Sequence, residues 1–351
     1  MRTAGIADAL EDKTVLITGG TGSFGQAATA RLLDSGCEQI RVFSRDEWKQ
    51  DAMRRRLPDE RLRFYLGDVR DRDSVDSVMR GVDLVFHAAA LKQVPSCEFF
   101  PMQAVMTNVV GGNHVIESAA RSGAERVICL STDKAAYPVN AMGMTKGLLE
   151  KVAQAKARIL EPGQTVVATV RYGNVLGSRG SVVPLFVDQL RRLEPLTITL
   201  PGMTRFLLPL GSAIDLVMYA LSHSVPGDLF VRKAPACTIQ DLADALRLIF
   251  GTRVPDKVIG IRHGEKLYET LATREEMVRA EDLGQYYRVP MDDRDLNYGL
   301  YFSEGSGQPE APEDYTSHNT RRLGRDEVAQ LLSCLPEVRD QLPVTAQRVA
   351  G

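Results

Sequence analysis

Short apolar runs recur along the first half of the chain, each followed by a stretch whose apolar positions repeat at helical spacing. Thr14–Thr18, Gln39–Phe43, 62–66, Asp83–His87, Arg126–Leu130 and Thr165–Tyr172 read as strands, since continuous apolar runs of this length suit a sheet buried on both faces. Helices are predicted up to about Gly36, over 46–57, 71–80 and 99–122, and from about Asn140 onward, with a partial helix in the polar lead-in 1–13. Regular alternation through residue 172 predicts an α/β fold with a doubly wound parallel sheet.

Beyond Gly173-Asn174-Val175 the chain is richer in turn formers, with Gly177, Gly180, Pro184, Pro195, Pro201 and Gly202. A smaller α/β substrate domain is therefore expected over 176–205 and 236–302, after a dinucleotide-binding domain over 1–175. The helix read at Ser212–Ser222 and the strand at Asp228–Val231 lie in 206–235, expected to return to the first domain. Helices follow at 238–250 and 325–335, and the Gly/Pro/Glu-rich stretch 303–314 reads as a mobile connection to a tail, 303–351.

Chemistry gathers where strands end, which is where ligands bind in open α/β sheets. The first strand runs into Gly19-Gly20-Thr21-Gly22-Ser23-Phe24-Gly25. Glycines at 19, 22 and 25 fit a tight turn, a close backbone approach to pyrophosphate and a helix seated low on the sheet. With a strand before it and a helix after, this turn points to a dinucleotide. The second strand ends in Ser44-Arg45-Asp46-Glu47 with Lys49 close behind. Arg45 suits a 2′-phosphate and so NADP, Asp46 keeps NAD open as the less favoured cofactor, and Ser44-x-x-Glu47 also reads as a capping box. Asp68 either accepts from adenine or caps a helix, and Ala88-Ala89-Ala90 lets backbone pass close to a cofactor. His87 reads as a core residue, and Lys92 as either a sugar or phosphate contact or a solvated side chain.

The fifth strand ends in Ser131-Thr132-Asp133-Lys134, followed by a helix on which Met142 and Lys146 share one face. Arg262-His263-Gly264-Glu265-Lys266 gathers cationic groups at a turn, as a diphosphate clamp or an exposed helix start. The formal net charge of −2 leaves no basic footprint for nucleic acid or anionic membrane, so any phosphate must be met locally. A 351-residue chain that is 44% hydrophobic can bury a core for about two domains. No signal peptide or apolar run of ~18 residues is read, and five scattered cysteines show no metal spacing. Reduced thiols, a cytoplasmic location and no bound metal are expected.

TGxxGxxG, the Ser-Thr-Asp-Lys strand end and the MxxxK helix together resemble the extended short-chain dehydrogenase/reductases, with their Rossmann sheet. Longer strings, His87–Pro95, Arg171–Val175, Met203–Phe206, His263–Glu269 and Tyr315–Thr320, resemble the 5-inverting UDP-N-acetylglucosamine 4,6-dehydratases of polysaccharide biosynthesis, closest to the UDP-N-acetyl-L-fucosamine branch. The resemblance implies a homo-oligomer (dimer or hexamer) acting on UDP-N-acetylglucosamine or a related UDP-HexNAc. It implies cofactor contacts from Gly19, Thr21, Gly22, Ser23, Phe24, Gly25, Ser44, Arg45, Lys49, Asp68, Val69, Ala88, Ala89, Ala90, Asn108, Lys146 and Tyr172. Substrate contacts would come from Lys92, Met142, Asn174, Ser181, Arg205, Arg262 and Glu265, with Arg205 and Arg262 on the diphosphate and Glu265 on the uridine ribose. Tyr315–Thr320 would close over the sugar as a latch.

In such enzymes C4 is oxidised, H5 is removed, water leaves C6 and hydride returns to C6. By the resemblance Asp133 is the acid for the 6-hydroxyl and Lys134 the base at C5, the latter requiring a lowered pKa. A plain Asp133–Lys134 ion pair would oppose that shift. Met142 replaces the superfamily tyrosine, so the base for the 4-hydroxyl is open among Thr132, Lys134, Tyr137 and water, while Lys146 holds the nicotinamide ribose. C3 epimerisation is a further option of this branch. Two alternatives remain, a UDP-sugar 4-epimerase on the same fold and a catalytically weak NADP-binding regulator.

Overall fold

The computed structural model describes residues 8–178, 180–292 and 312–342. Strands β1 (Thr14–Thr18), β2 (Gln39–Ser44), β3 (Leu62–Leu66), β4 (Leu84–His87), β5 (Arg126–Leu130) and β6 (Val166–Arg171) alternate with helices. The helices between them are α1 (Ser23–Leu33), α2 (Glu47–Arg56), α3 (Arg72–Met79), α4 (Val94–Phe99), α5 (Gly111–Ser122) and α6 (Ala141–Ile159). The second half adds α7 (Val182–Arg191), β7 (Leu196–Ile198), β8 (Thr204–Phe206), α8 (Leu210–His223), β9 (Leu229–Arg232), β10 (Ala236–Thr238) and α9 (Ile239–Phe250). After these come β11 (Asp256–Val258), β12 (Thr270–Ala272), β13 (Glu281–Asp282), β14 (Tyr286–Val289), β15 (Tyr315–Thr316) and α10 (Arg325–Ser333).

Nine strands form one sheet in the order β13-β14-β9-β6-β5-β4-β1-β2-β3. From β9 to β3 all pairs are parallel, so the carboxyl ends of β1, β2, β4, β5 and β6 share one edge. Chain order reverses between β1 and β4, which opens the crevice there. Side-chain alternation sends Val15, Ile17, Phe86 and Ile128 to one face, against α1 and α8, and Leu16, Val85, Val127 and Cys129 to the other, against α3, α5 and α6. Both faces are covered, so the strands carry unbroken apolar runs. Each fully buried large side chain among them contributes roughly 1.5–3 kcal/mol.

A second core lies beside this sheet, where Val183 and Phe186 of α7 meet Leu242 and Leu246 of α9. Val328 and Leu332 of α10 pack into the same core, so the described part of the tail is built into the smaller unit, and α10 ends at Ser333. Residues 281–289, expected in the substrate domain, instead extend the large sheet, with β14 antiparallel to β9. Most of the connection read at 303–314, residues 293–302 and the ends 1–7 and 343–351 lie outside the described residues.

The single helix expected over 99–122 is broken. Pro101 starts a new helical turn, and Val105–Val110 is π-helical before α5 begins. Proline lacks the N–H that would continue the ladder from the turn before it, and the π turn inserts one residue, rotating Asn108 inward. Among the described residues no helix is long and apolar enough to cross a membrane.

Candidate active site

The glycine turn closes tightly because its glycines leave no room for a side chain. A Cβ on Gly19, whose φ is +67°, would lie 2.8 Å from the Ala89 Cα, and one on Gly25 would lie 2.4 Å from the Gly20 Cα. Gly22 caps α1 without a side-chain hydrogen bond, which leaves the first N–H groups of this 11-residue helix directed at the crevice. At the end of β2, Asp46 caps α2 by accepting from Lys49 N at 2.9 Å and pairs with the Lys49 ammonium. Arg45 reaches Asp68 at 3.4 Å across the rim. Burial alone would raise the Asp68 pKa, but hydrogen bonds from Arg70 hold it below the usual carboxylate range. Thr21, Gly22, Ser44, Arg45, Lys49, Asp68, Val69, Ala89 and Ala90 line this part of the cleft. The donor set fits a dinucleotide.

A larger cleft of about 1030 Å³ continues between the two units. Ser23, Phe24, Ala88, Lys92, Thr132, Asp133, Lys134, Met142, Lys146, Tyr172, Asn174, Ser181, Arg205, Arg262 and Glu265 all line it. Asn108 does not reach either part. Its Oδ1 accepts from Leu91 N at 2.8 Å and its Nδ2 donates to Leu91 O and Thr145 Oγ1, so it fixes the loop after β4. His87 is fully buried with Nδ1 2.8 Å from Thr18 Oγ1, and burial together with the Lys146 charge depresses its pKa to about 3.

Beyond β5, Thr132 caps a single 3-10 turn, Asp133–Ala135, that aims its side chains into the cleft. Asp133 is 1% exposed and accepts from Thr132 Oγ1 at 2.8 Å and from Lys134 Nζ at 3.1 Å, with its Oδ2 unpartnered. Burial raises its pKa against the pull of Lys134, and the nearby Glu269 charge adds to the rise. Lys134 behaves opposite to expectation. Burial alone would lower its pKa, but the charges of Asp133 and Glu269 raise it, so at rest it is a firmly held ammonium. Lys146, on α6, donates to Leu130 O at 2.7 Å, and burial lowers its pKa to about 8.

Tyr137 leaves the cleft altogether. It sits at φ 45° and its hydroxyl is hydrogen-bonded between the carboxylates of Glu275 and Asp314, at 2.9 and 3.1 Å. Thr132 and Lys134 remain in place. The 262–266 turn docks on the catalytic loop through Asn140 Nδ2 to Gly264 O (2.9 Å) and Lys266 Nζ to Ala136 O (2.6 Å). Glu98 ties both sides, accepting from Ala141 N at 2.7 Å and lying 3.1 Å from His263 Nε2. Arg262 pairs with Glu265 at 3.6 Å at the cleft wall. The buried Asn174 Oδ1 and Ser131 Oγ have no partner, and both residues line the cleft.

Sequence reasoning missed Glu269 and Ser131. Ser131 carried the strand-end signal already used for its neighbours, and Glu269 lies inside a string tied to the resemblance without a role. The latch expected at Tyr315–Thr320 lies behind the site, where β15 pairs with β12 and Ser317 Oγ is 2.8 Å from Thr204 Oγ1.

A doubly wound parallel sheet with a glycine turn at its switch point and an acid–lysine pair beyond the end of β5 defines a Rossmann-type α/β fold. The family described as polysaccharide biosynthesis protein matches residues 15–291, and polysaccharide biosynthesis protein C-terminal matches 292–339. The chain belongs to this polysaccharide biosynthesis protein family. The UDP-glucose 4-epimerase of Rickettsia conorii is 56% identical over 335 residues, covering 94% of this chain and 98% of that protein. The UDP-glucose 4-epimerase of Rickettsia akari is 55% identical over the same shares. Among solved structures, Pen from Bacillus thuringiensis superposes with TM-score 0.82 at 32% identity over 92% of this chain and 98% of its own. DesIV from Streptomyces venezuelae, a dTDP-glucose 4,6-dehydratase with NAD and TYD bound, shares the fold, with TM-score 0.67 at 23% identity over 72% of this chain and 86% of its own.

Proposed function

We propose that the chain is an NADP-dependent 4,6-dehydratase of UDP-N-acetylglucosamine, or a related UDP-HexNAc, that inverts C5. One observation carries this reading: a buried Asp133, its pKa raised by burial, stands beside Lys134 in the cleft that Lys146 also lines. Sugar epimerisation at C4 needs no acid at C6, whereas expulsion of the 6-hydroxyl does. Bound NADP would supply a hydride acceptor at C4 and a donor at C6, with no net oxidation of the sugar. Arg45 and Lys49 would hold its 2′-phosphate, and the α1 N-terminus its pyrophosphate.

Arg205 and Arg262 would neutralise the UDP diphosphate, with Lys92, Asn174 and Ser181 on phosphate or sugar. Oxidation at C4 makes the C5 proton α to a carbonyl. Lys134 removes that proton, Asp133 gives its own to the departing 6-hydroxyl as water forms, and a proton returns to C5 from the opposite face. The sugar loses one water in all. Exchange at C3 follows from the same ketone and would allow epimerisation there. Phe99, Phe100, Met102, Met144 and Leu148 are exposed large apolar side chains on packed neighbouring elements, a surface for a homo-oligomer.

The Rickettsia relatives' name favours a second reading, a UDP-sugar 4-epimerase. Incubation with UDP-N-acetylglucosamine in D₂O, followed by mass spectrometry and NMR, separates the two. The dehydratase product is lighter by one water and carries solvent deuterium at C5 in the L-arabino configuration. A product of unchanged mass would establish the epimerase instead.

A further inference from the structure

Glu269 is the buried titratable group that the steps above leave unused. It directly precedes β12, is 3% exposed and lines the same cleft as Asp133 and Lys134. Its Oε1 lies 3.4 Å from Lys134 Nζ and 3.7 Å from Arg205 Nε, while its Oε2 is buried without a hydrogen-bond partner. The backbone is clamped from the C-terminal segment. Glu269 N donates to Ser317 Oγ at 2.9 Å, and Glu269 O accepts from Ser317 N at 2.8 Å. The carboxylate is thereby fixed against the ammonium that must become a base.

We propose that Glu269 is the proton acceptor of Lys134: it takes one proton from the ammonium so that the resulting amine can remove H5. The inference rests on the dehydratase reading and deepens it. In the first step an N–H bond breaks and a carboxyl O–H forms, with no change of oxidation state. In the second an N–H bond forms as C5–H breaks, and the electron pair passes into the enolate of the C4 ketone. Turnover closes when solvent returns one proton to C5 and one to Asp133, and Glu269 releases its own, restoring the ammonium–carboxylate pair.

At rest the pair stays charged. Burial would raise the Glu269 pKa, but Lys134, Arg205 and Lys266 lower it. Burial raises the pKa of Asp133, which also faces Glu269. The Lys134 side chain is 22% exposed, so water still supports its charge. A sugar ring over it removes that water and penalises both ions, whereas the neutral amine–acid pair bears no such cost. Positive charge on an oxidised nicotinamide acts in the same direction.

The test compares wild type and Glu269→Gln as full chains with NADP and UDP-N-acetylglucosamine from about pH 6 to about pH 10, reading water loss, C4 hydride transfer and NADP binding. Glu269→Gln is expected to keep NADP binding and C4 hydride transfer but to lose dehydration at neutral pH by at least ~100-fold. The rate should then recover about tenfold per pH unit toward the ordinary lysine range near ~10.4, since Lys134 must lose its proton to solvent. In Glu269→Ala, added formate should restore the neutral-pH rate. A dehydrating wild type together with an unshifted Glu269→Gln profile, or with no formate rescue, overturns the inference alone. A wild-type product of unchanged mass overturns the dehydratase reading and this inference with it.

Discussion

Lys134 and Asp133 divide their roles by environment. Two carboxyl groups and one ammonium share a largely buried space, where burial raises the Asp133 pKa and the two carboxyl groups raise that of Lys134. Asp133→Asn is nearly isosteric and removes only the transferable proton. We expect it to lower dehydration by about 10²–10⁴-fold while leaving NADP affinity unchanged, as read by product mass and cofactor titration. Arg45 tests the cofactor reading, because one charge-assisted hydrogen bond to phosphate is worth about 1.5–3 kcal/mol. Arg45→Ala should weaken NADP by roughly 10–100-fold and NAD little, by fluorescence titration. His87 gives a pH signature. Its native pKa of about 3 lies below the ordinary value of 6.5, so between them the unfolded chain binds more protons. Stability is therefore full above about pH 6.5 and falls as pH drops toward 3, by up to about 1.4 kcal/mol per unit. Denaturant melts at about pH 7 and about pH 5 should show that fall, and His87→Asn should flatten it.

At the scale of elements, two anchors hold the catalytic loop. Arg171, 2% exposed at the end of β6, meets Glu150 of α6 at 2.6 Å and Glu276 of the short helix Arg274–Met277 at 2.7 Å. It also donates to Leu271 O at 2.9 Å, so a single side chain ties the sheet to the segment that carries Glu269. Arg171→Met would leave the buried Glu150 and the half-buried Glu276 uncompensated. A loss of about 3–5 kcal/mol is expected in urea unfolding. Tyr137 anchors from outside, on Glu275 and Asp314. Tyr137→Phe should keep the rate of C4 hydride transfer within about threefold and cost at most about 1.5 kcal/mol, since only exposed hydrogen bonds are removed. The interrupted helix over 94–122 is the corresponding lesson about pattern. Helical spacing runs through Phe100 and Asn108, but Pro101 and an extra backbone residue split it, and Asn108 turns to the loop after β4.

For the whole molecule, the sheet's switch point supplies a cofactor crevice and the smaller unit supplies the opposite wall, so one cleft spans both. The exposed Phe99, Phe100 and Met102 lie on the rim of the larger unit, and light scattering is expected to return a multiple of the 38.6 kDa chain mass. A monomer at micromolar concentration would remove the homo-oligomer from the proposal.

The strand–helix alternation, the glycine turn and the polar cluster after β5 were all legible in the chain, because each depends on residues within a few positions of one another. Period-two and period-3.6 patterns are local, and a parallel sheet carries every strand end to one edge. What Lys134 is at rest was not legible. Its charge is held first by the neighbouring Asp133 and then by Glu269, 135 positions away, which β12 and Ser317 bring to within 3.4 Å. The same holds for Tyr137, drawn outward by Glu275 and Asp314, and for residues 281–289, which join the large sheet through pairing with β9. Local periodicity can specify an element and place a side chain at its end. Electrostatic environment is a sum over neighbours, and only the packed chain decides who those neighbours are.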